Sequence, residues 1–186
     1  EAVSRAAVPL EAPLAMKAVS PEIVHKSDVG GVALDISGPE EAQSAFTRMR
    51  ENLRRMDFRG VFLHEMIPSG QEMILGIKRD PVFGPVVAVG AGGIYTELMR
   101  DVSLRIAPFS RETARGMIEE LKTYRLLSGY RGKPPRAVGE LSDLVLRLSQ
   151  LAVEHDEIRE LDLNPVFVFE KEVMVGDIHI VAGPGR

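Results

Sequence analysis

Short apolar runs separated by polar, turn-rich segments shape the first third of the chain. Residues 14–19 (LAMKAV) and 31–36 (GVALDI) are predicted to be buried strands, and VFLHEMI, which follows Gly60, is a further strand candidate. Pro39 is expected to open a helix, with Ser37 as its cap, because apolar residues recur after it at helical spacing. The pattern therefore predicts strands around one long helix in this region.

The remainder of the chain has the same mixed pattern. Residues 72–78 (EMILGIK) and 85–91 (PVVAVGA) are predicted strands, joined by the turn-prone segment RDPVFG. A second helix is expected to begin at Ser110 and to carry Tyr124 on its apolar face. A glycine- and proline-rich segment then breaks it, and a third helix follows. The chain closes on IRELDLNPVFVFE and VMVGDIHIVA, which predict an antiparallel hairpin.

Strands with interleaved helices and a terminal antiparallel hairpin predict an α+β or mixed α/β domain, and α+β is the class we expect. A boundary between two lobes is expected near Pro68–Gly70, which gives an N-terminal lobe over 1–68 and a C-terminal lobe over 69–186. The chain starts without methionine and in the middle of a pattern, so we expect it to be a domain of something longer.

Composition removes several function classes. The chain has 186 residues, 45% of them hydrophobic, so a core of normal size is available. Its formal net charge of −4 argues against nucleic acid as the main partner, because phosphate-rich polymers favour basic surfaces. The absence of cysteine excludes disulfides and thiolate chemistry, and it is compatible with the cytoplasmic location we expect. No apolar run approaches the roughly 20 residues that span a bilayer, so no membrane association is expected.

The terminal hairpin predicts a candidate metal site. A two-residue turn at Glu170–Lys171 would set Asn164 opposite Asp177 and Asp162 opposite His179, with all four side chains on one face. A carboxylate beside an amide offers the oxygen ligands that Mg²⁺ prefers. The alternative is a polar, solvated strand face, and a slip of one residue would separate the ligands.

Phosphate-binding candidates lie near the N-terminus. Lys17 interrupts an apolar strand, and it needs either an anion such as a nucleotide phosphate or, on an edge strand, a path to solvent. The following loop, HKSDVGG, offers His25, Lys26 and two glycines whose amides can converge on phosphate oxygens; an ordinary polar loop is the alternative. It is not a Walker A loop. From the residues alone, Glu65 and Glu72 are equally compatible with ribose binding and with an ordinary surface.

Several segments together resemble one known family. KAVSPEIVHKSDVGGV, FLHEMIPSGQEMILGIKRDPVFGPVVAVGAGGIYTELMRDVSLRIAP, LLSGYRGKPP and ELDLNPV occur here in this order. They resemble the ATP-grasp domain of ADP-forming acetyl-CoA and acyl-CoA synthetases, relatives of the succinyl-CoA synthetase β subunit. The resemblance runs from about Leu14 to Val181. It implies an ATP-grasp fold, in which two α/β lobes with mainly antiparallel sheets enclose a nucleotide cleft.

The resemblance also implies roles for individual residues. His25 matches a histidine that accepts a phosphoryl group. ATP or ADP would be bound by phosphate-contacting and hinge residues, and Mg²⁺ by oxygen ligands near the C-terminus. The implied nucleotide-binding residues are Lys17, Lys26, Glu65, Met66, Ile67 and Glu72, and the implied metal ligands are Asn164, Asp177 and Asp162.

The implied reaction joins a carboxylic acid, CoA and ATP to give acyl-CoA, ADP and phosphate. The implied partner is a CoA-binding and ligase part, fused or separate, within an oligomer. The family's usual first segment is largely missing here. Two alternatives are a regulatory, ligand-sensing ATP-grasp module of a multidomain protein lysine acetyltransferase and, more weakly, a carboxylate–amine ligase.

Overall fold

The computed structural model describes residues 2–7, 9–23, 26, 28–93 and 101–183. It divides the chain into two compact units, Glu1–Pro68 and Ser69–Arg186, which we call unit 1 and unit 2. Each unit has its own hydrophobic core. Among the described residues, no helix combines the length and the apolar character needed to cross a membrane.

Unit 1 is a small antiparallel sheet covered by helices. Its elements are α1 (Ala2–Ala7), β1 (Leu14–Val19), β2 (Val32–Ile36), α2 (Pro39–Asn52) and β3 (Gly60–Glu65). The strand order is β2-β1-β3, so β1 is central. Its alternate residues Leu14, Met16 and Ala18 are buried in the core, together with residues of α2. This alternation leaves Lys17 on the opposite face.

The start of α2 differs from the prediction. Pro39 is the first helical residue, as expected, but the N-cap is Gly38 and Ser37 provides no side-chain cap. Instead, the Ser37 backbone N–H donates to Glu41 Oε2 at 2.9 Å. This contact lowers the pKa of Glu41. The prediction of Ser37 as the cap was therefore wrong. Its hydroxyl does not accept a hydrogen bond from the first turn of the helix; its backbone N–H instead donates one to the first-turn carboxylate of Glu41.

Unit 2 is built on a larger antiparallel sheet. Its strands are β4 (Gln71–Asp80), β5 (Gly84–Ala91), β6 (Val102–Ile106), β7 (Ile158–Val168), β8 (Val173–Val175) and β9 (Ile178–Ala182). The order is β6-β5-β4-β7-β8, and β9 also pairs with β7. Its helices are α3 (Arg111–Glu119), α4 (Tyr124–Leu127) and α5 (Val138–Glu154). Strand residues such as Met73, Leu75 and Val89 share one core with helix residues such as Met117 and Val145.

The helix that the sequence pattern extends through Tyr124 is two helices. The first, α3, ends at Glu119, and Tyr124 begins the separate helix α4. The buried carboxylate of Asp101 accepts hydrogen bonds from the backbone N–H groups of Lys122 and Thr123 at 2.9 and 2.8 Å. The side chain of the residue that precedes β6 thus binds the donors that a continuous helix would use. The predicted α+β class is confirmed.

Candidate functional site

The terminal hairpin has the register expected from its sequence. Phe169 N donates to Glu172 O at 2.9 Å, which closes a two-residue turn. The ladder then pairs Val168 with Val173 and Asp162 with His179. This register is confirmed.

Asn164 lies beside Asp177 in the same hairpin. The Asn164 N–H donates to Asp177 O at 3.2 Å. Asp177 Oδ1 accepts a hydrogen bond from Ile178 N at 3.0 Å, which orients the carboxylate at the start of β9. Asn164 is exposed and Asp177 half-buried. The structure therefore brings an amide and a carboxylate together at one edge of the sheet.

A bulge in β7 sits at this same position. Met73 pairs with Val166 and Leu75 pairs with Leu163, so β7 places two residues, 164 and 165, opposite a single residue of β4. The extra residue lets Leu163 and Val166, three apart, both face the core. Bulges of this kind re-aim side chains and are common beside functional sites. The sequence pattern did not predict this one.

Within the described part of the hairpin, Asp162 has a carboxyl pKa that is raised above its ordinary value. Asp162 is exposed, yet partial desolvation of its carboxyl beside the sheet is the largest influence on its pKa and raises it; nearby His179 lowers this pKa and Asp177 raises it. The negative charge of Asp177 thus opposes ionisation of Asp162. Such a pair becomes more favourable when a cation lies between its members.

The donor set on this face fits a hard cation. Two carboxylates and an amide offer only oxygen ligands, as Mg²⁺ requires. Within the described ranges, no cluster of three or more His, Cys, Asp or Glu side chains could hold a metal ion. The candidate set contains only two such acids, Asp162 and Asp177, and Asn164 is its third member. Water and substrate phosphate would complete the coordination of Mg²⁺.

Glu72 is held against a glycine turn. It is half-buried in β4, and its backbone oxygen accepts a hydrogen bond from Gly92 N at 2.9 Å. A Cβ on Gly93, whose φ is +63°, would lie 2.9 Å from Glu72 Oε2. The GAGG segment therefore lets the backbone approach this carboxylate closely. This contact was not predicted from the sequence.

Lys17 lies on the central strand of unit 1. It is half-buried, with Phe62 of β3 and Val32 of β2 as its cross-strand partners. Because β1 is flanked on both sides, the edge-strand interpretation of Lys17 is wrong. Lys17 therefore lies on the sheet face opposite the unit 1 core, with the 68% exposed Phe62 as its neighbour on β3.

The predicted phosphate loop returns to β1 next to Lys17. His25 lies outside the described residues. Lys26 is half-buried, and its backbone oxygen accepts a hydrogen bond from Gly31 N at 2.7 Å. Gly31 O in turn accepts one from Ala18 N at 2.8 Å. A Cβ on Gly31 would lie 2.9 Å from Lys26 O, so the tight loop requires glycine there.

The segment that follows β3 is anchored by several hydrogen bonds. Glu65 is exposed, and its Oε1 accepts a hydrogen bond from Glu11 N at 2.9 Å. Met66 N donates to Pro13 O at 2.8 Å, and Met66 Sδ accepts a hydrogen bond from Asp35 N at 3.0 Å. Ile67 is half-buried. Glu65 and Met66, two of the predicted nucleotide-binding residues, are thus hydrogen-bonded to other residues of unit 1.

Comparison with known proteins gives a family match over nearly the whole chain. A family model described as an ATP-grasp domain matches residues 1–182. The chain is 45% identical over 175 residues to acetate–CoA ligase (ADP-forming) I of Archaeoglobus fulgidus, covering 92% of this chain and 25% of that protein. It is 43% identical over 173 residues to acetate–CoA ligase (ADP-forming) I subunit beta of Pyrococcus furiosus, covering 91% of this chain and 75% of that subunit.

Solved structures agree with this match. Dinucleotide-forming acetyl-coenzyme A synthetase 1 of Ca. Korarchaeum cryptofilum, in complex with coenzyme A, Ca-AMPCP and HgCl⁺, superposes with a TM-score of 0.92 at 40% identity, covering 98% of this chain and 81% of that one. A second structure of that enzyme, with coenzyme A and Mg-AMPPCP, has a TM-score of 0.85 at 40% identity, covering 97% and 81%. The ATP-grasp fold is confirmed. The chain spans about a quarter of the Archaeoglobus ligase.

Proposed function

Because the chain belongs to the ATP-grasp domain family, we propose that it is the nucleotide-handling part of an ADP-forming acyl-CoA synthetase. Its ligands would be ATP or ADP with Mg²⁺. The complete enzyme would convert a carboxylic acid, CoA and ATP to acyl-CoA, ADP and phosphate. This chain would carry the exchange of a phosphoryl group between a phosphohistidine and ADP.

The observation that carries this proposal is the pairing of Asn164 with Asp177 on the face that also bears Asp162. These three residues would hold Mg²⁺, which supplies positive charge to nucleotide phosphates when bound. The hairpin register supports this role, because it sets the backbone positions of the three residues next to one another on one face. Such preorganisation limits the cost of ordering the site on binding.

The open face of unit 2 is graded from apolar to acidic. One row of cross-strand partners runs Leu104, Ala88, Gly76, Asp162 and His179. The small residues in the middle of the row leave room above the sheet. Leu104, at one end, is 57% exposed, and the other end carries the carboxylate of Asp162 and the imidazole of His179. An apolar end suits a nucleobase, and an acidic end suits metal-bound phosphates.

The other predicted residues have roles that follow from their chemistry. Lys17 and Lys26 would neutralise phosphate charge, and Glu65, Met66 and Ile67 would contact the base and ribose. Glu72 would bind a ribose hydroxyl or a metal-bound water. His25 would take up the phosphoryl group, since a neutral imidazole nitrogen is a nucleophile near neutral pH. As ADP attacks, the P–N bond breaks while a P–O bond to the β-phosphate forms.

We further propose that unit 1 and unit 2 are the two lobes of the ATP-grasp domain. The complete synthetase would also need a CoA-binding and ligase part, fused or separate, and would form a cytoplasmic oligomer. The relatives support both arrangements, because one is a single long chain and another is a beta subunit.

Calorimetric titration with ADP and ATP, with and without Mg²⁺, tests this function. We expect Mg²⁺-dependent binding that Asp177→Ala weakens by about tenfold or more, the usual scale for losing a residue of a metal site. Glu160→Gln is the matched control. Glu160 lies on the same strand face but pairs with Lys78 at 3.1 Å and is not a proposed ligand.

Equal affinity in the wild type and in Asp177→Ala would contradict the metal assignment. Phosphoryl transfer to His25 is then followed with labelled ATP and an added CoA-binding part. Labelling that His25→Ala abolishes supports the synthetase role. Tight nucleotide binding without any labelling would instead favour the regulatory, ligand-sensing module.

A further inference from the structure

A positively charged segment of unit 2 takes no part in the proposed nucleotide site. Residues 125–136 (RLLSGYRGKPPR) contain Arg125, Arg131, Lys133 and Arg136 and no acidic residue. We call them the basic segment. Among the described residues, none of these four cations forms an ion pair.

None of the nearest acidic residues in sequence pairs with the basic segment. Glu140, which follows it, forms no ion pair among the described residues, and the two acids that precede it pair elsewhere. Glu119 pairs with Arg115 at 2.7 Å, and Glu120 pairs with Arg105 at 2.8 Å. The positive charge of the basic segment is therefore not offset by its sequence neighbours. Four positive charges within one short exposed stretch give a local positive potential that attracts an acidic partner.

The backbone of the basic segment holds Arg131 in an unfavourable conformation. Its φ is +50°, a region that residues with a Cβ avoid, and it lies between Gly129 (φ +93°) and Gly132 (φ +79°). The turn is closed by hydrogen bonds from Lys133 N to Tyr130 O at 3.1 Å and from Arg136 N to Leu127 O at 2.7 Å. Glycine would suit position 131 better, so the sequence keeps arginine at a conformational cost.

The side chain of Arg131 is exposed at the surface. Its guanidinium carbon lies 5.3 Å from the centroid of the Tyr130 ring, and Tyr130 is 46% exposed. Stacking on the ring orients the guanidinium while leaving its N–H donors available. All residues from 130 to 135 are exposed, so the segment presents its side chains to solvent.

We propose that the basic segment is a docking site for an acidic segment of a protein partner. An exposed segment fits another protein surface better than it fits a small anion, which needs enclosure. The two exposed prolines that follow Lys133 and the Tyr130 ring add apolar contact area beside the charges. A chain with a net charge of −4 repels nucleic acid at long range, which favours a protein over a phosphate polymer.

Fluorescence anisotropy with a labelled ten-residue glutamate peptide tests the proposal on the full chain. We expect binding at low salt that weakens when about 150 mM salt is added. Arg131→Gln should weaken binding about fivefold, the scale of one lost charge-assisted contact. Arg55→Gln is the matched control, because Arg55 is an exposed arginine of unit 1, and it should leave the affinity within about twofold.

Arg131→Gly separates a binding role from a structural one. Glycine adopts a φ of +50° freely, so the melting temperature of this variant should not fall while peptide binding weakens as in Arg131→Gln. Equal losses in Arg131→Gln and Arg55→Gln would show general charge attraction and overturn the proposal. Competition by inorganic phosphate at equal strength, or tighter binding of a ten-residue oligothymidylate, would overturn it in favour of a phosphate ligand. None of these outcomes affects the Mg²⁺-dependent titration.

Discussion

The two faces of the unit 2 sheet use alternate residues of the same strands in opposite ways. One face is covered by helices, and its residues, including Leu75, Val89 and Leu163, are almost completely buried. The other face carries Leu104 and Asp162, and neither is covered within the unit. The covered face stabilises the fold, which allows residues one position away to be chosen for binding. Stability and function are thus separated by strand alternation.

Truncation on the covered face is the largest expected effect. Leu75→Ala should lower the free energy of unfolding by about 3 kcal/mol, since it removes a fully buried side chain and leaves a cavity. Urea denaturation followed by circular dichroism measures the loss. A change below about 1 kcal/mol would contradict the separation of the two faces.

Asp101 offers an intermediate effect with a defined pH dependence. Burial opposes its ionisation, but hydrogen bonds from Thr123 and Lys122 outweigh burial and lower the pKa of its carboxyl. A lowered folded-state pKa stabilises the fold above the unfolded pKa of about 4, and this stabilisation is lost as the pH falls through the folded value. Asp101→Asn should therefore cost about 2 kcal/mol near neutral pH, and the difference from wild type should shrink below about pH 4. A constant difference across that range would show that ionisation is irrelevant.

The matched truncation on the open face is the smallest expected effect. Leu104→Ala should change the free energy of unfolding by less than about 0.5 kcal/mol, because the side chain is 57% exposed. The same urea denaturation as for Leu75→Ala makes the two values directly comparable. If the open face also binds a base, the variant should weaken nucleotide affinity without losing stability.

The sequence predicts those features of unit 2 that depend on local rules. The two-residue turn and the alternation in β7 determine that Asn164 lies against Asp177, so counting residues was sufficient. The bulge at position 164 was not predictable in this way, because it depends on how β4 pairs with the other edge of β7. The roles assigned to the metal ligands stay predictions.

Long-range contacts explain the other failures. The separation of α3 from α4 depends on Asp101, some twenty residues earlier in the chain. The central place of Lys17 depends on β3, which returns to the sheet after an intervening helix. Helical spacing and strand pattern contain neither kind of information, so sequence reasoning extended one helix too far and left the place of the lysine in its sheet undecided.

The turn at Glu170–Lys171 suggests a place for a reporter group. Both residues are exposed, and the turn lies six residues along an extended strand from Asn164, which corresponds to about 20 Å. Because the strands on either side maintain the pairing, a dye attached there would not alter which residues face each other at the far end. Such a label could follow nucleotide arrival by energy transfer without touching the residues it monitors.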